Sequence, residues 1–190
     1  MEVYLIRHTS PAIDKGICYG QSDIPVAESF MEEAARLKLH LPAGFNRIYS
    51  SPLKRCSELA ALLSSNSSIV TDHRLKELNF GTWEGKRWDE IAGEELDVWM
   101  KDFVNVPAPG GENFEMLFNR TKQFYEELSR LDFKQVGIVC HAGVVRAFLA
   151  LVLEMPLRNA FKIPVSYASV TKLNLNKETC YCSLEYLNRV

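Results

Sequence analysis

Nothing in this 190-residue chain stays apolar for long: the longest unbroken run, Ala147 to Leu153, has seven residues, where a membrane-spanning helix needs about 20. The first residues, MEVYLIRH, carry Glu2 and reach Arg7 after a short apolar stretch. Neither the basic start nor the apolar core of a secretory signal is present, so a cytoplasmic protein with no membrane partner is expected. Charge of one sign is missing as well. With 22 Lys+Arg against 24 Asp+Glu and a net charge of −2, no surplus of cations exists to neutralise a run of phosphates. No nucleic-acid partner is therefore expected, and any anion site has to be local. Cys18, Cys56, Cys140, Cys180 and Cys182 are odd in number and scattered, with no C-x-x-C pair and no histidine at zinc-ligand spacing. Free thiols are expected, and neither a metal nor another cofactor. A Walker sequence and a G-x-G-x-x-G are also missing, which removes the nucleotide cradles that depend on them.

The remaining composition, 47% hydrophobic and 24% charged, is that of one ordinary globular domain. At this size roughly 70% of the unfolded surface can be buried, so a single core needs no covalent support. Residues 3–6 form a short β-branched apolar run that empties into Arg7-His8-Thr9-Ser10-Pro11, the pattern of a buried strand followed by a loop. Phe30, Ala34, Leu37 and Leu41 recur at helical spacing, and the helix over 26–41 is closed by Pro42 and Gly44. Residues 47–50 read as a second strand. Ser51-Pro52 then reads as a serine cap with proline at the first helical position, opening a helix to Leu63. The linker 64–68 precedes a short strand at 69–71 and an irregular stretch at 75–85. A surface helix is expected over 86–103, a Pro/Gly loop over 104–112, and a long amphipathic helix capped by Asn113 over 113–131. Residues 136–140, VGIVC, form another buried strand that ends in His141-Ala142-Gly143 before a helix over 144–154, and strands near 168–175 and 181–187 complete the chain.

This alternation predicts a three-layer α/β/α fold with a mainly parallel central sheet, and a small helical or loop cap within 77–112 of the single 1–190 domain. Ligands of such sheets sit beyond the carboxyl ends of the strands. Arg7, His8, Arg55, His141 and the start of the helix at Gly143 would meet there if three strand ends converge. Two guanidiniums that grip anions through paired donors, with two imidazoles beside them, suit a phosphate. Helix starts add backbone N–H groups without changing the net charge. Arg55 sits in the first turn of its helix, where a cation opposes the dipole unless an anion lies between. Each residue alone also has a structural reading: a strand-end histidine as a hydrogen-bonding residue, Glu77 as a solvated loop carboxylate.

LIRHTSP (5–11), YSSPLKRCSELA (49–60), LKELNFGTWEG (75–85) and VCHAGVVR (139–146) resemble, in order and spacing, the motifs of the histidine phosphatase superfamily of phosphoglycerate-mutase-like enzymes. The resemblance covers nearly the whole chain. It implies that His8 is the phosphorylated histidine, Arg7 and Arg55 the phosphate-gripping arginines, His141 the second histidine and Glu77 the proton donor. Glu84 is a nearby carboxylate that the motif spacing disfavours as that donor. The family's Arg-His-Gly reads Arg7-His8-Thr9 here. A β-branched residue does not freely adopt positive φ, so either the backbone stays in an ordinary region and the hydroxyl adds a phosphate contact, or the site is altered.

The family's mutases are usually longer, and this length is similar to its phosphatase branch. GICYGQSDIPVAESF (16–30) and FGTWEGKRWDEI (80–91) are most similar to the α-ribazole phosphatases. That resemblance implies a small phosphate ester as partner, with Gly20 and Gln21 near its phosphate or ribose, and Tyr19, Trp83 or Trp88 offering a flat face to its base. The alternatives are a sugar-phosphate or phosphoprotein phosphatase, and a binding module that holds phosphate without turnover. Nothing in these residues reads out an oligomeric state.

Overall fold

Strand β1 (Glu2–Arg7) runs through the middle of the sheet, and its alternating side chains serve two cores. Val3 and Leu5 pack on one face and Tyr4 and Ile6 on the other, as the two-residue period of a doubly covered strand requires. In the computed structural model, which describes residues 1–65, 67–91, 93–176 and 181–190, the six strands are ordered β3-β2-β4-β1-β5-β6. They comprise β2 (Arg47–Ser50), β3 (Ser68–Thr71), β4 (Gln135–Cys140), β5 (Val170–Asn176) and β6 (Tyr181–Arg189) beside β1. The β1–β4, β2–β4 and β2–β3 pairings are parallel; β5 and β6 extend the sheet antiparallel.

Helices α5 (Phe114–Arg130) and α6 (Ala142–Val152) cover one face, burying Phe124, Leu128, Val144 and Phe148 against Val3, Leu5 and Ile138. Helices α1 (Phe30–Lys38) and α2 (Lys54–Leu63) cover the other through Ala34, Leu37, Cys56 and Leu59. Three layers therefore enclose a mostly parallel sheet, as expected. Asn113 caps α5 by accepting the Met116 N–H at 2.8 Å.

Two expectations need correction. The helix expected over 86–103 is two short ones, α3 (Trp88–Ile91) and α4 (Glu94–Lys101). Gly93, at φ +143°, precedes α4 in a conformation that no helix tolerates. Helix α2 begins at Lys54 after an extended Leu53, so Ser51-Pro52 form a turn before it rather than its cap. Asn66 of the expected linker, position 92 of the expected helix and Cys180 lie outside the described residues. Cys18, Cys56, Cys140 and Cys182 are free thiols. No helix among the described residues is long and apolar enough to cross a membrane.

A third apolar cluster lies apart from the sheet. Leu78, Trp83, Ile91, Trp99 and Ala108 gather with Phe114, Leu117 and Ala147, so the 77–112 segment is fastened to α5 and α6 near the carboxyl ends of the strands.

Candidate active site

Parallel pairing puts the ends of β2, β4 and β1 side by side: Ser50 aligns with Val139, and Cys140 with Arg7. The three polar turns that follow these strands therefore converge. His8 is 1% exposed, and its backbone is tied on both sides, its N–H donating to Cys140 at 3.1 Å and its carbonyl accepting from Ala168 at 3.0 Å. The His8 and His141 rings lie edge to face with centroids 5.0 Å apart.

His8 Nδ1 is 2.7 Å from the Thr9 carbonyl. That oxygen only accepts, so Nδ1 carries the proton and Nε2 keeps its lone pair. Burial, then the Arg55 and Arg7 charges, hold the His8 pKa well below the ordinary value. Burial, then the charges of His8, Arg55, Arg120 and Arg7, act the same way on His141. Both rings are neutral at pH 7, and a neutral imidazole with a free Nε2 is a nucleophile. Ser51 Oγ lies 2.9 Å and Cys56 Sγ 3.4 Å from His141 Nε2, fixing that ring against α2.

Arg55 is fully buried and donates through Nη2 to the Gly20 carbonyl and through Nη1 to the Ser22 carbonyl, both at 2.7 Å. Arg7 donates to the Val165 carbonyl, and its guanidinium lies 3.7 Å over the Tyr167 ring. Tyr167 shares a 2.6 Å hydrogen bond with Tyr19, whose ring lies under Arg55 at 5.1 Å. The ion pairs of the described residues involve other cations. Nε of both Arg7 and Arg55 is buried without a partner. Two guanidiniums outside those ion pairs, with orphaned donors beside a neutral imidazole, form a cluster whose chemistry suits an anion.

Glu77 approaches this pocket from the irregular 75–85 stretch. Its carboxylate accepts from the Leu78 N–H at 2.9 Å and from the Gly143 N–H at 3.2 Å, at the start of α6. A Cβ on Gly143 would stand 2.2 Å from Glu77 Oε1, so only glycine lets the acid come this close. Gln21 Nε2 donates to the Glu77 carbonyl at 3.0 Å, and Arg120 Nη2 to the same oxygen at 2.9 Å. The Lys54 N–H in the first turn of α2 is taken by Asp23 at 2.7 Å.

Every expected site residue thus lies at this edge: Arg7, His8, Gly20, Gln21, Arg55, Glu77, His141 and Gly143. Thr9 is not among the positive-φ residues, so its β-branch is accommodated; its hydroxyl is buried without a partner. Trp83 is 3% exposed and belongs to the core, while Trp88 lines a cavity of about 490 Å³ with Phe80, Trp99, Met100, Phe103 and Phe161. Sequence reading missed Tyr167, Arg120 and Arg146, and saw Ser51 only as a helix start. Tyr167 lies in no charge cluster, and only the end of motif VCHAGVVR pointed to Arg146.

Residues 3–188 match the family model described as Histidine phosphatase superfamily (branch 1). The adenosylcobalamin/alpha-ribazole phosphatase of Salmonella typhimurium is 27% identical over 99% of this chain and 96% of its own. Phosphoserine phosphatase 1 of Hydrogenobacter thermophilus is 26% identical over 93% of this chain and 88% of its own. The alpha-ribazole phosphatase from Shigella flexneri superposes with a TM-score of 0.91 at 24% identity, covering 99% and 96% of the two chains; that likeness shows the fold.

Proposed function

We propose, given that this chain belongs to branch 1 of the histidine phosphatase superfamily and is a phosphoric monoester hydrolase, that it acts through a phosphohistidine on His8 and that its substrate is α-ribazole 5′-phosphate. The observation that carries the mechanism is the neutral His8, with Nε2 free, between two guanidiniums whose buried Nε donors have no partner. His8 Nε2 attacks phosphorus, and the P–O bond to the alcohol breaks. Arg7, Arg55 and His141 stabilise the charge on the phosphoryl oxygens, and Glu77 gives its proton to the departing alkoxide. Water then attacks phospho-His8 while Glu77 takes its proton, releasing inorganic phosphate and restoring the imidazole.

Two features support the ribazole ester. The Salmonella typhimurium relative carries that activity in its name. The aromatic cavity between Phe161 and the 77–112 segment, which we take as a cap over the site, offers apolar surface to a planar base.

A second reading, a phosphorylated hydroxy or amino acid, is favoured by Arg146. Its Nε donates to the Ile163 carbonyl at 3.1 Å and its guanidinium lies 4.9 Å over Phe161. It forms none of the ion pairs of the described residues, and the charges of Glu77 and Arg7 both act on it. A cation beside the acid that protonates the leaving alcohol suits a carboxylate on that alcohol. The test is phosphate release from α-ribazole 5′-phosphate, O-phosphoserine and a panel of sugar phosphates, by wild type, His8→Ala and Arg146→Ala. The first reading expects a ribazole preference that Arg146→Ala keeps. The second expects a phosphoserine preference, lowered about tenfold or more in kcat/KM by Arg146→Ala. Turnover of the panel with neither preference removes both substrates and leaves the chemistry standing.

A further inference from the structure

Arg55 poses an electrostatic problem that the mechanism leaves open. Its guanidinium is fully buried, and its hydrogen bonds go to two neutral carbonyls, those of Gly20 and Ser22. An isolated buried charge is costly. A carboxylate in direct contact would relieve that cost, but it would also occupy the donors that an incoming phosphate needs.

Glu84 lies on the other side of the same loop. Its Oε1 accepts from the Gln21 N–H at 2.8 Å and the Phe80 N–H at 3.1 Å, and its Oε2 accepts from the Ser22 N–H at 2.6 Å and the Ser22 hydroxyl at 2.5 Å. The peptide joining Gly20 to Gln21 therefore gives its carbonyl to Arg55 and its N–H to Glu84. Its dipole lies aligned between the cation and the anion, an arrangement in which each hydrogen bond strengthens the other. Gly20 makes the approach possible: at φ +31°, a Cβ there would stand 2.3 Å from Glu84 Oε1 and 2.6 Å from the Leu78 carbonyl. The loop's other carboxylate, Asp23, is exposed and takes the Lys54 N–H instead.

We infer that Glu84 is a positioning residue for the phosphate site: it is the counter-charge of Arg55, delivered through the Gly20–Gln21 peptide so that the guanidinium stays balanced yet open to phosphate. The inference rests on the phosphatase reading of the pocket. It assigns Glu84 a role distinct from that of Glu77, since its carboxylate is taken up by Gln21, Ser22 and Phe80, whereas that of Glu77 meets the start of α6.

The experiment is a double-mutant cycle of Glu84→Gln and Arg55→Ala, read as orthovanadate affinity by competition, kcat/KM for p-nitrophenyl phosphate and Tm. Glutamine keeps the shape and removes the charge. In the wild-type background Glu84→Gln should weaken vanadate binding about tenfold and lower kcat/KM at least as much; in the Arg55→Ala background it should add almost nothing. Glu84→Asp should recover part of the loss, and Asp23→Asn should bind vanadate as the wild type does. A Glu84→Gln protein with unchanged vanadate affinity and only a lower Tm would make Glu84 a plain loop staple and overturn the inference. An equal loss in both backgrounds would overturn it too, because Glu84 would then act without Arg55. If Glu84→Gln does not fold, Ser22→Ala removes one of the four donors to Glu84 and should weaken vanadate binding in the same direction; no change refutes the inference. A wild type that neither hydrolyses esters nor binds vanadate would remove the phosphatase reading and this inference together, an outcome distinct from an active wild type indifferent to Glu84.

Discussion

At the ends of β1, β2 and β4 the candidate catalytic side chains are held by backbone groups. His8 donates to Thr9, Arg55 to Gly20 and Ser22, Arg7 to Val165, and Glu77 accepts from Leu78 and Gly143. A few residues away, the cavity formed by Phe80, Trp88, Trp99, Met100, Phe103 and Phe161 is almost wholly aromatic and apolar. The first region offers directional donors in fixed positions, which suits a group of one geometry, the phosphoryl. The second offers area without direction, which tolerates leaving groups of different shapes. On the proposed function the first region would carry the chemistry and the second the selectivity, so the two are open to separate tests.

The largest test of that separation is His8→Ala. It should abolish the phosphoenzyme and reduce turnover by on the order of 10⁴-fold for every ester alike, as seen by acid-quenched labelling and phosphate release; retained turnover would remove His8 as nucleophile. Glu77→Gln comes next. It should lower kcat by about 10²- to 10³-fold for alkyl esters and much less for p-nitrophenyl phosphate, whose leaving group needs no proton. An equal loss for both would place the acid elsewhere.

The third test concerns stability. His8 and His141 have native pKa values held below 6.5, so the unfolded chain binds protons that the native pocket refuses. Stability should therefore be full above about pH 6.5 and fall as the pH drops below it, by up to about 1.4 kcal/mol per pH unit for each histidine. Thermal melts between pH 7.5 and 5.5 check the sign. His8→Ala should flatten the dependence, and a wild-type Tm independent of pH over this range would refute it.

The smallest effect is expected at Thr9. Its hydroxyl is buried without a partner, so Thr9→Val should keep kcat within about twofold and leave Tm unchanged or raised. A marked loss of phosphate affinity would instead make the hydroxyl a phosphate ligand.

Much of this layout was legible in the chain itself. Strands at 3–6, 47–50 and 136–140 declare themselves by short apolar runs ending in polar residues, and each became a strand of the sheet. The start of α2 was misread because Ser-Pro has the same local chemistry in a cap and in a turn. The break between α3 and α4 was missed because helical periodicity continues across a glycine whose φ only the fold dictates. Tyr167 and Arg120 carry no sequence signal of function; they stand out through what packs beside them.

Local order in the sequence was enough to set which strands are buried, which residues end them, and therefore which polar groups stand at the catalytic edge, because hydrophobic periodicity and strand length are properties of neighbours along the chain. Three features arose only from tertiary contact: the tying of the His8 backbone to Cys140 and Ala168, the peptide between Glu84 and Arg55, and the holding of Glu77 by the Gly143 N–H. Hydrogen-bond direction, burial and the balance of charge depend on groups 30 to 160 residues apart meeting within about 3 Å, and no local pattern encodes such a meeting.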